Sequence, residues 1–189
     1  TSGTLWAKCN VGATSETDYG SYFQWGDTVD KRDADCSWAS YKYCNGSEKS
    51  LTKYCTNSSY GTVDNKITLD LEDDAARANM GGDWKMPSAA LIEELVSETT
   101  SEWVTNYNGT GVNGRKLTGS NGNYIFIPAS GDRTNSSFYS QGSQGNVWWP
   151  SLHNINTSLA LALRFDSDSF NARNNSADRS FGYPVRGVL

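Results

Sequence analysis

Asp70-Leu71-Glu72-Asp73-Asp74-Ala75-Ala76-Arg77-Ala78-Asn79-Met80-Gly81-Gly82-Asp83-Trp84-Lys85-Met86-Pro87-Ser88-Ala89-Ala90-Leu91-Ile92-Glu93-Glu94-Leu95-Val96 is the stretch that decides the class of fold. It contains two helix starts. Asp70 is a good N-cap, and Glu72, Asp73 and Asp74 put negative charge against the positive end of the first helix. That helix runs through Ala75–Ala78 and stops at Gly81-Gly82, which tolerate positive φ. The second begins at Ser88, directly after Pro87. Ala89, Leu91, Ile92, Leu95 and Val96 form its apolar face, with Glu93, Glu94 and Glu98 opposite.

Strand patterns surround this pair. Leu5–Cys9 and Tyr22–Trp25 read as short strands before it. After it the pattern is hairpin-like, with Asn113-Gly114 and Asn121-Gly122 as turn dipeptides. Gly111–Thr118 and Tyr124–Ile127 flank the second turn, and Pro128 ends the strand because proline cannot donate to a ladder. Short strands follow near Val147–Trp149, Leu159–Phe165 and Tyr183–Val188. Strands before, between and after two helices predict an α+β domain. Asp27–Asn65 is polar and irregular, dotted with Trp38, Tyr41, Tyr43, Tyr54 and Tyr60, and unusually long for a structureless stretch. The expectation is that the aromatics and a disulfide pin it to the surface.

The whole chain, residues 1–189, reads as one domain with a real core. No apolar run reaches the roughly 18 residues a membrane span needs, so no membrane insertion is expected. No basic region followed by an apolar run opens the chain, and the start at Thr1-Ser2-Gly3 reads as a mature or excised fragment. The net charge of −5 and the lack of a Lys/Arg cluster argue against nucleic acid as a partner. Charge is uneven: after Lys116 there is no Lys, and after Glu102 no Glu.

Cys9, Cys36, Cys44 and Cys55 fit no zinc or redox spacing. Their even number points to an exported protein with at least one bridge, Cys44–Cys55 being favoured across a short loop. The alternative is four reduced thiols in a cytosolic protein. The acidic cluster Asp70, Glu72, Asp73 and Asp74 could hold Ca²⁺, but its spacing is not that of an EF-hand loop. A charged helix start is the preferred reading, so no metal and no cofactor are expected. His153 is the only histidine, and any Ser–His–Asp mechanism would need it. It sits in a polar loop-like stretch with no nucleophile elbow nearby, so it reads as a binding-loop residue.

The tail carries the functional signal. Asn135–Phe181 is rich in Ser, Asn, Gly, Tyr, Phe and Trp, and Arg and Asp are its only formally charged residues at neutral pH. Recognition surfaces deplete Lys and Glu and enrich aromatics and Arg, and antibody-like paratopes favour Tyr, Ser, Gly and Asn. Long charged side chains lose more rotamer freedom when ordered.

Several segments resemble the Fibrobacter major paralogous domain, frequent in surface lipoproteins and pilus-associated proteins of gut anaerobes. They are Leu5-Trp6-Ala7-Lys8-Cys9-Asn10-Val11-Gly12-Ala13, Tyr19–Asp27, Leu51–Cys55, Asp70–Arg77, Gly81–Ser88, Ile127–Arg133 and Gly182–Arg186, and together they span nearly the whole chain. The resemblance implies a C-type-lectin-like fold of the formylglycine-generating-enzyme type. Trp84-Lys85-Met86-Pro87-Ser88 looks like that superfamily's helix entry, and Gly182–Arg186 looks like its last core strand. The oxidase members carry reactive cysteines towards the C-terminus, and here none follows Cys55. The calcium-dependent sugar motifs of true C-type lectins are absent.

Val147–Arg186 resembles the variable region of proteins diversified by retroelements, in which an Asn-codon-rich template is copied with errors at adenines. Val147-Trp148-Trp149-Pro150-Ser151 and Ala160-Leu161-Ala162-Leu163-Arg164-Phe165 occupy its first two places, and Asn171, Asn174, Asn175 and Arg179 follow. By that correspondence Leu163 and Phe165 are scaffold. The implied ligand contacts are Trp149, Ser151, His153, Asn154, Asn156, Leu161, Ala162, Arg164, Asp166, Asp168, Phe170, Asn171, Arg173, Asn174, Ser176 and Asp178. The expected arrangement is a scaffold of about 5–133 and 182–189 presenting a binding region of about 147–181. The expected function is a non-catalytic adhesin or receptor-binding domain, exported to the cell surface or a pilus tip. Its partner would be a protein or glycan on a cell or phage surface, alongside pilus subunits. A structural pilin-like or lipoprotein subunit is the alternative, followed by a glycan-active enzyme.

Overall fold

The computed structural model describes residues 3–171 and 175–189. Among these, two α-helices and antiparallel strands in three small sheets give the mixed content expected. A 3-10 turn (Leu71–Asp73) leads into α1 (Ala75–Met80), and α2 (Ala89–Glu98) runs directly into β1 (Thr99–Val104). The first sheet has the order β1, β2 (Gly114–Gly119), β3 (Tyr124–Pro128). A small hairpin pairs β4 (Asp132–Thr134) with β5 (Ser137–Tyr139). In the third sheet β6 (Gly145–Leu152) pairs with one edge of β7 (Leu159–Phe165). Two short strands, β8 (Phe170–Asn171) and β9 (Ser176–Asp178), also pair with β7, at its end and its start respectively.

Local chemistry explains the boundaries. Asp74, not Asp70, caps α1. Its carboxylate accepts from Ala76 N at 2.9 Å and Arg77 N at 3.0 Å, and takes Met86 N at 2.8 Å. One side chain thus fixes the helix start and the segment that enters α2. Burial raises the Asp74 carboxyl above its ordinary value, against the lowering effect of these N–H groups. Ser88 caps α2 as expected, accepting from Leu91 N. Asn121-Gly122 closes the β2–β3 hairpin, with Gly122 at φ 82°. Asn113-Gly114 makes no hairpin. Gly114 opens β2, and the Asn113 side chain instead receives Asn106 N at 3.0 Å and donates to Gly142 O at 2.8 Å. The strands expected at Leu5–Cys9, Tyr22–Trp25 and Tyr183–Val188 are reduced to isolated bridges, Trp6 with Val188 and Phe23 with Tyr183.

The third sheet is covered on both faces. One face places Trp148, Leu152, Ala160 and Ala162 in a core with Trp25, Tyr41, Tyr54 and Tyr183. The other places Val147, Trp149, Leu163 and Phe165 against Ile92 and Leu95 of α2, with Leu117 and Ile127. Gly145 is required where it pairs with Phe165, because a Cβ there would stand 1.9 Å from the ring.

No named helix or strand lies between Asp27 and Asn65. Its tyrosines are not surface pins. Tyr41, Tyr43 and Tyr54 are buried and pack in an edge-to-face chain with Trp25. The expected Cys44–Cys55 disulfide is absent, for all four cysteines are free thiols. Each of the two thiols turns to a carbonyl of its own turn, Cys44 Sγ to Trp38 O at 3.0 Å and Cys55 Sγ to Asn57 O at 3.2 Å. Backbone bridges from Leu51 to Cys44 and Gly61 close the loop instead.

Buried arginines do much of the tying. The Arg179 guanidinium is fully buried and donates to Tyr41 Oη, Tyr54 O, Thr157 O and Lys53 O at 2.9–3.0 Å. Arg186 donates to Asn10 Oδ1, Ala7 O, Lys8 O and Phe126 O, and burial lowers its pKa to about 10. The planar fork of arginine suits such convergent carbonyls.

Candidate ligand-binding site

The structure divides the sequence-expected contacts into four groups. Trp149 and Ala162 are interior, at 3% and 2% exposure. As contacts they are corrected: β6 and β7 lie between two cores, so neither pleat face is free there. Leu161 and Phe170 are half-buried against the α2-side core.

The second group shapes loops. His153 Nδ1 accepts from Ile155 N at 3.3 Å and Asn156 N at 3.2 Å, which in the neutral ring leaves the proton on Nε2. Asn156 Oδ1 receives Ser158 N and Ser158 Oγ. At the far end of β7, Asp166 Oδ1 receives Asp168 N, Ser169 N and Ser169 Oγ, which hold its carboxyl below the ordinary value. Arg115 grips the same turn through Asp166 O and Ser167 O. These side chains build rigid turns by competing for local N–H groups.

The third group faces water: Asn154, Arg164 and Asp168 are exposed, and Ser151, Ser176 and Asp178 are half-buried. The rigid loop carrying Asn154 also lifts Ile155 to 82% exposure. Asn154 and Asp168 stand at opposite ends of β7, about 20 Å apart along the strand axis. They do not converge on one spot. Finally, Arg173 and Asn174 lie outside the described residues, and of Asn171 only its strand pairing with Arg164 is described.

The acidic cluster proves to be a neutralised network. Asp70, Glu72 and Asp73 bring carboxylate oxygens within 4.8 Å of one another. The Lys53 ammonium lies among them, 2.7 Å from Asp70, 3.2 Å from Glu72 and 2.6 Å from Asp73. Asp73 is buried and also accepts from Tyr43 Oη, Lys42 Nζ and, at 2.5 Å, Tyr54 Oη. Burial alone would raise the Asp73 carboxyl, yet these donors, Lys53 foremost, carry it well below the ordinary range. The same carboxylates outweigh desolvation at Lys53 and raise its pKa.

A groove of about 430 Å³ runs between α2 and the β2–β3 hairpin, lined by Trp6, Leu91, Leu95, Leu117 and Ile125. None of the expected tail contacts among the described residues lines it. Among the described residues no helix is long and apolar enough to cross a membrane.

No family model, curated protein or solved structure matches the chain.

Sequence reasoning missed the surroundings of Arg164. With its amide oxygen turned to the guanidinium, Gln144 accepts from Arg164 Nη2 at 2.7 Å and Nε at 2.9 Å. Asp132 lies within electrostatic range of this arginine. Asp132 belonged to a motif that read only as scaffold, and Gln144 carried no signal beyond lying in the polar tail.

Proposed function

We propose that the chain is a non-catalytic ligand-binding domain, an adhesin or receptor-binding module of a bacterial surface or pilus-tip protein, built on a C-type-lectin-like frame. The observation that carries this reading is the alternation in β7, where Leu163 and Phe165 are buried and Arg164 between them is exposed. A strand of this kind keeps its fold through its neighbours while offering substitutable side chains. The self-bonded loops at its two ends add Asn154, Ile155 and Asp168 on rigid supports, which lowers the ordering cost of binding. The tail's lack of Lys and Glu supports the same reading.

The test is adhesion. Beads coated with the domain are mixed with bacterial and epithelial cells and counted by flow cytometry. A triple change of Asn154, Arg164 and Asp168 to Ala should cut adhesion at least tenfold with an unchanged melting temperature. Adhesion that survives the triple change, or no adhesion to any cell tested, overturns the proposal. At the genomic level, an adenine-mismatched copy of the segment coding for 147–181 beside a reverse transcriptase gene is the expected companion.

A further inference from the structure

Around Arg164 the backbone register lines up side chains from several segments. Arg133 and Gly182 exchange backbone hydrogen bonds at 2.9 and 2.8 Å in an antiparallel bridge. That places Asp132 and Tyr183 as the adjoining pair, where side chains on facing strands come closest. On its other side Asp132 pairs directly with Tyr139. Tyr139 is 51% exposed. The Tyr183 ring stacks on Trp148 at 4.3 Å. Trp148 and Arg164 share a face of the β6–β7 ladder, since Trp148 pairs with Ala162, two residues before Arg164. The result is a strip of Tyr139, Asp132, Tyr183 and Arg164, with Gln144 steadying the guanidinium.

The charges in this strip are near but apart. The Arg164 charge acts on Asp132, yet no ion pair within 4.0 Å joins them. Asp132 is half-buried, and Thr134 Oγ1 is its side-chain donor at 3.0 Å. Arg164 gives two donors to a neutral amide, and its side chain is exposed.

An anion drawn to Arg164 meets Asp132, and a cation drawn to Asp132 meets Arg164. A hydroxyl satisfies both, accepting from one and donating to the other. An exposed tyrosine ring beside such a pair offers an apolar face to a ring that carries hydroxyls on its edge. From this we propose that Tyr139, Asp132 and Arg164 form a subsite for a neutral saccharide, engaged through adjacent hydroxyls. The inference rests on the ligand-binding reading above and names the chemistry of one partner.

Burial raises the Asp132 carboxyl above its ordinary value, so its charge is a cost in the folded state. Asp132→Asn should therefore fold at least as well as the parent, which separates a binding defect from a folding defect. The probe is an array of neutral and acidic microbial and host glycans. The domain should be retained by at least one neutral hexose-containing glycan. Tyr139→Ala, Asp132→Asn and Arg164→Gln should each weaken that retention tenfold or more, with melting temperatures no lower than the parent's. No retention on the array, or retention indifferent to all three changes, overturns the saccharide site.

A second arm uses the cells of the adhesion assay after periodate oxidation, which cleaves vicinal diols. Adhesion should fall with oxidation. Undiminished adhesion to oxidised cells that still depends on Asn154 and Asp168 overturns the saccharide inference and leaves the ligand-binding reading standing. No adhesion to any cell, with an empty array, removes both.

Discussion

Asp27–Asn65 and the sheet of β6, β7, β8 and β9 hold their shapes by opposite means. The first has no named helix or strand, and its backbone is tied by particular side chains: Arg179 on Lys53 O and Tyr54 O, Tyr41 Oη on Trp25 O at 2.8 Å, and Asp64 on the N–H groups of Tyr54 and Cys55. The second is tied mainly by the ladder of β6, β7, β8 and β9. Where backbone satisfies backbone, an exposed side chain can change at little cost. Where a side chain satisfies backbone, its replacement leaves buried carbonyls or N–H groups unpaired. By that rule substitution is tolerated on the exposed positions of the ladder, and the irregular region must stay constant even though it looks like loop.

The strongest way to break this contrast is Arg179→Met. It removes donors from three buried carbonyls and a tyrosine oxygen together, and should cost about 4 kcal/mol in urea unfolding. A loss below about 1 kcal/mol would mean that the region is ordered by something else. Asp73→Asn is next, at about 3 kcal/mol, because it takes the charge from a buried carboxylate serving Lys53, Lys42, Tyr43 and Tyr54. Its signature is pH dependence. The folded-state pKa of Asp73 is depressed, so its stabilisation is complete above the ordinary carboxylate value and fades as pH falls towards the depressed one. The gap between parent and variant should be constant from pH 5 to 7 and shrink below about pH 4. A gap that does not narrow in acid would separate Asp73 from the charge network.

These two effects also show why part of the fold was legible and part was not. The Ser88 cap, the Asn121-Gly122 turn and the run Leu159–Phe165 depend on neighbours in sequence, and all three stand where local pattern placed them. The Asp74 cap was misplaced to Asp70 because any acid in the run could serve, and the choice is made by Met86 N, twelve residues away. The Cys44–Cys55 bridge failed because spacing says nothing of where a thiol points. The resemblance to a variable region marks Trp149 and Ala162 as contacts, but a motif correspondence does not tell that both faces of the ladder are covered at those positions. The strip at Arg164 was invisible for the opposite reason: Tyr139, Asp132 and Tyr183 come together only through a bridge between residues 133 and 182.

Within the ladder the contrast can be sharpened at neighbouring positions. Ala162 and Arg164 lie two apart on one face of β7, the first buried and the second exposed. Ala162→Leu forces extra methylenes into the Trp148 and Tyr183 core and should cost about 2 kcal/mol. Arg164→Ala gives up an exposed side chain's hydrogen bonds to Gln144 and the charge near Asp132, and should stay within about 0.5 kcal/mol of the parent. Both are read by thermal unfolding of otherwise identical chains. Equal losses at the two positions would mean that Arg164 is structural, and that the ladder is no freer to vary at its surface than the irregular region. A neutral Arg164→Ala beside a damaging Ala162→Leu would place the boundary between packed and substitutable positions of β7 between them, because the two side chains point the same way and differ only in what lies above them.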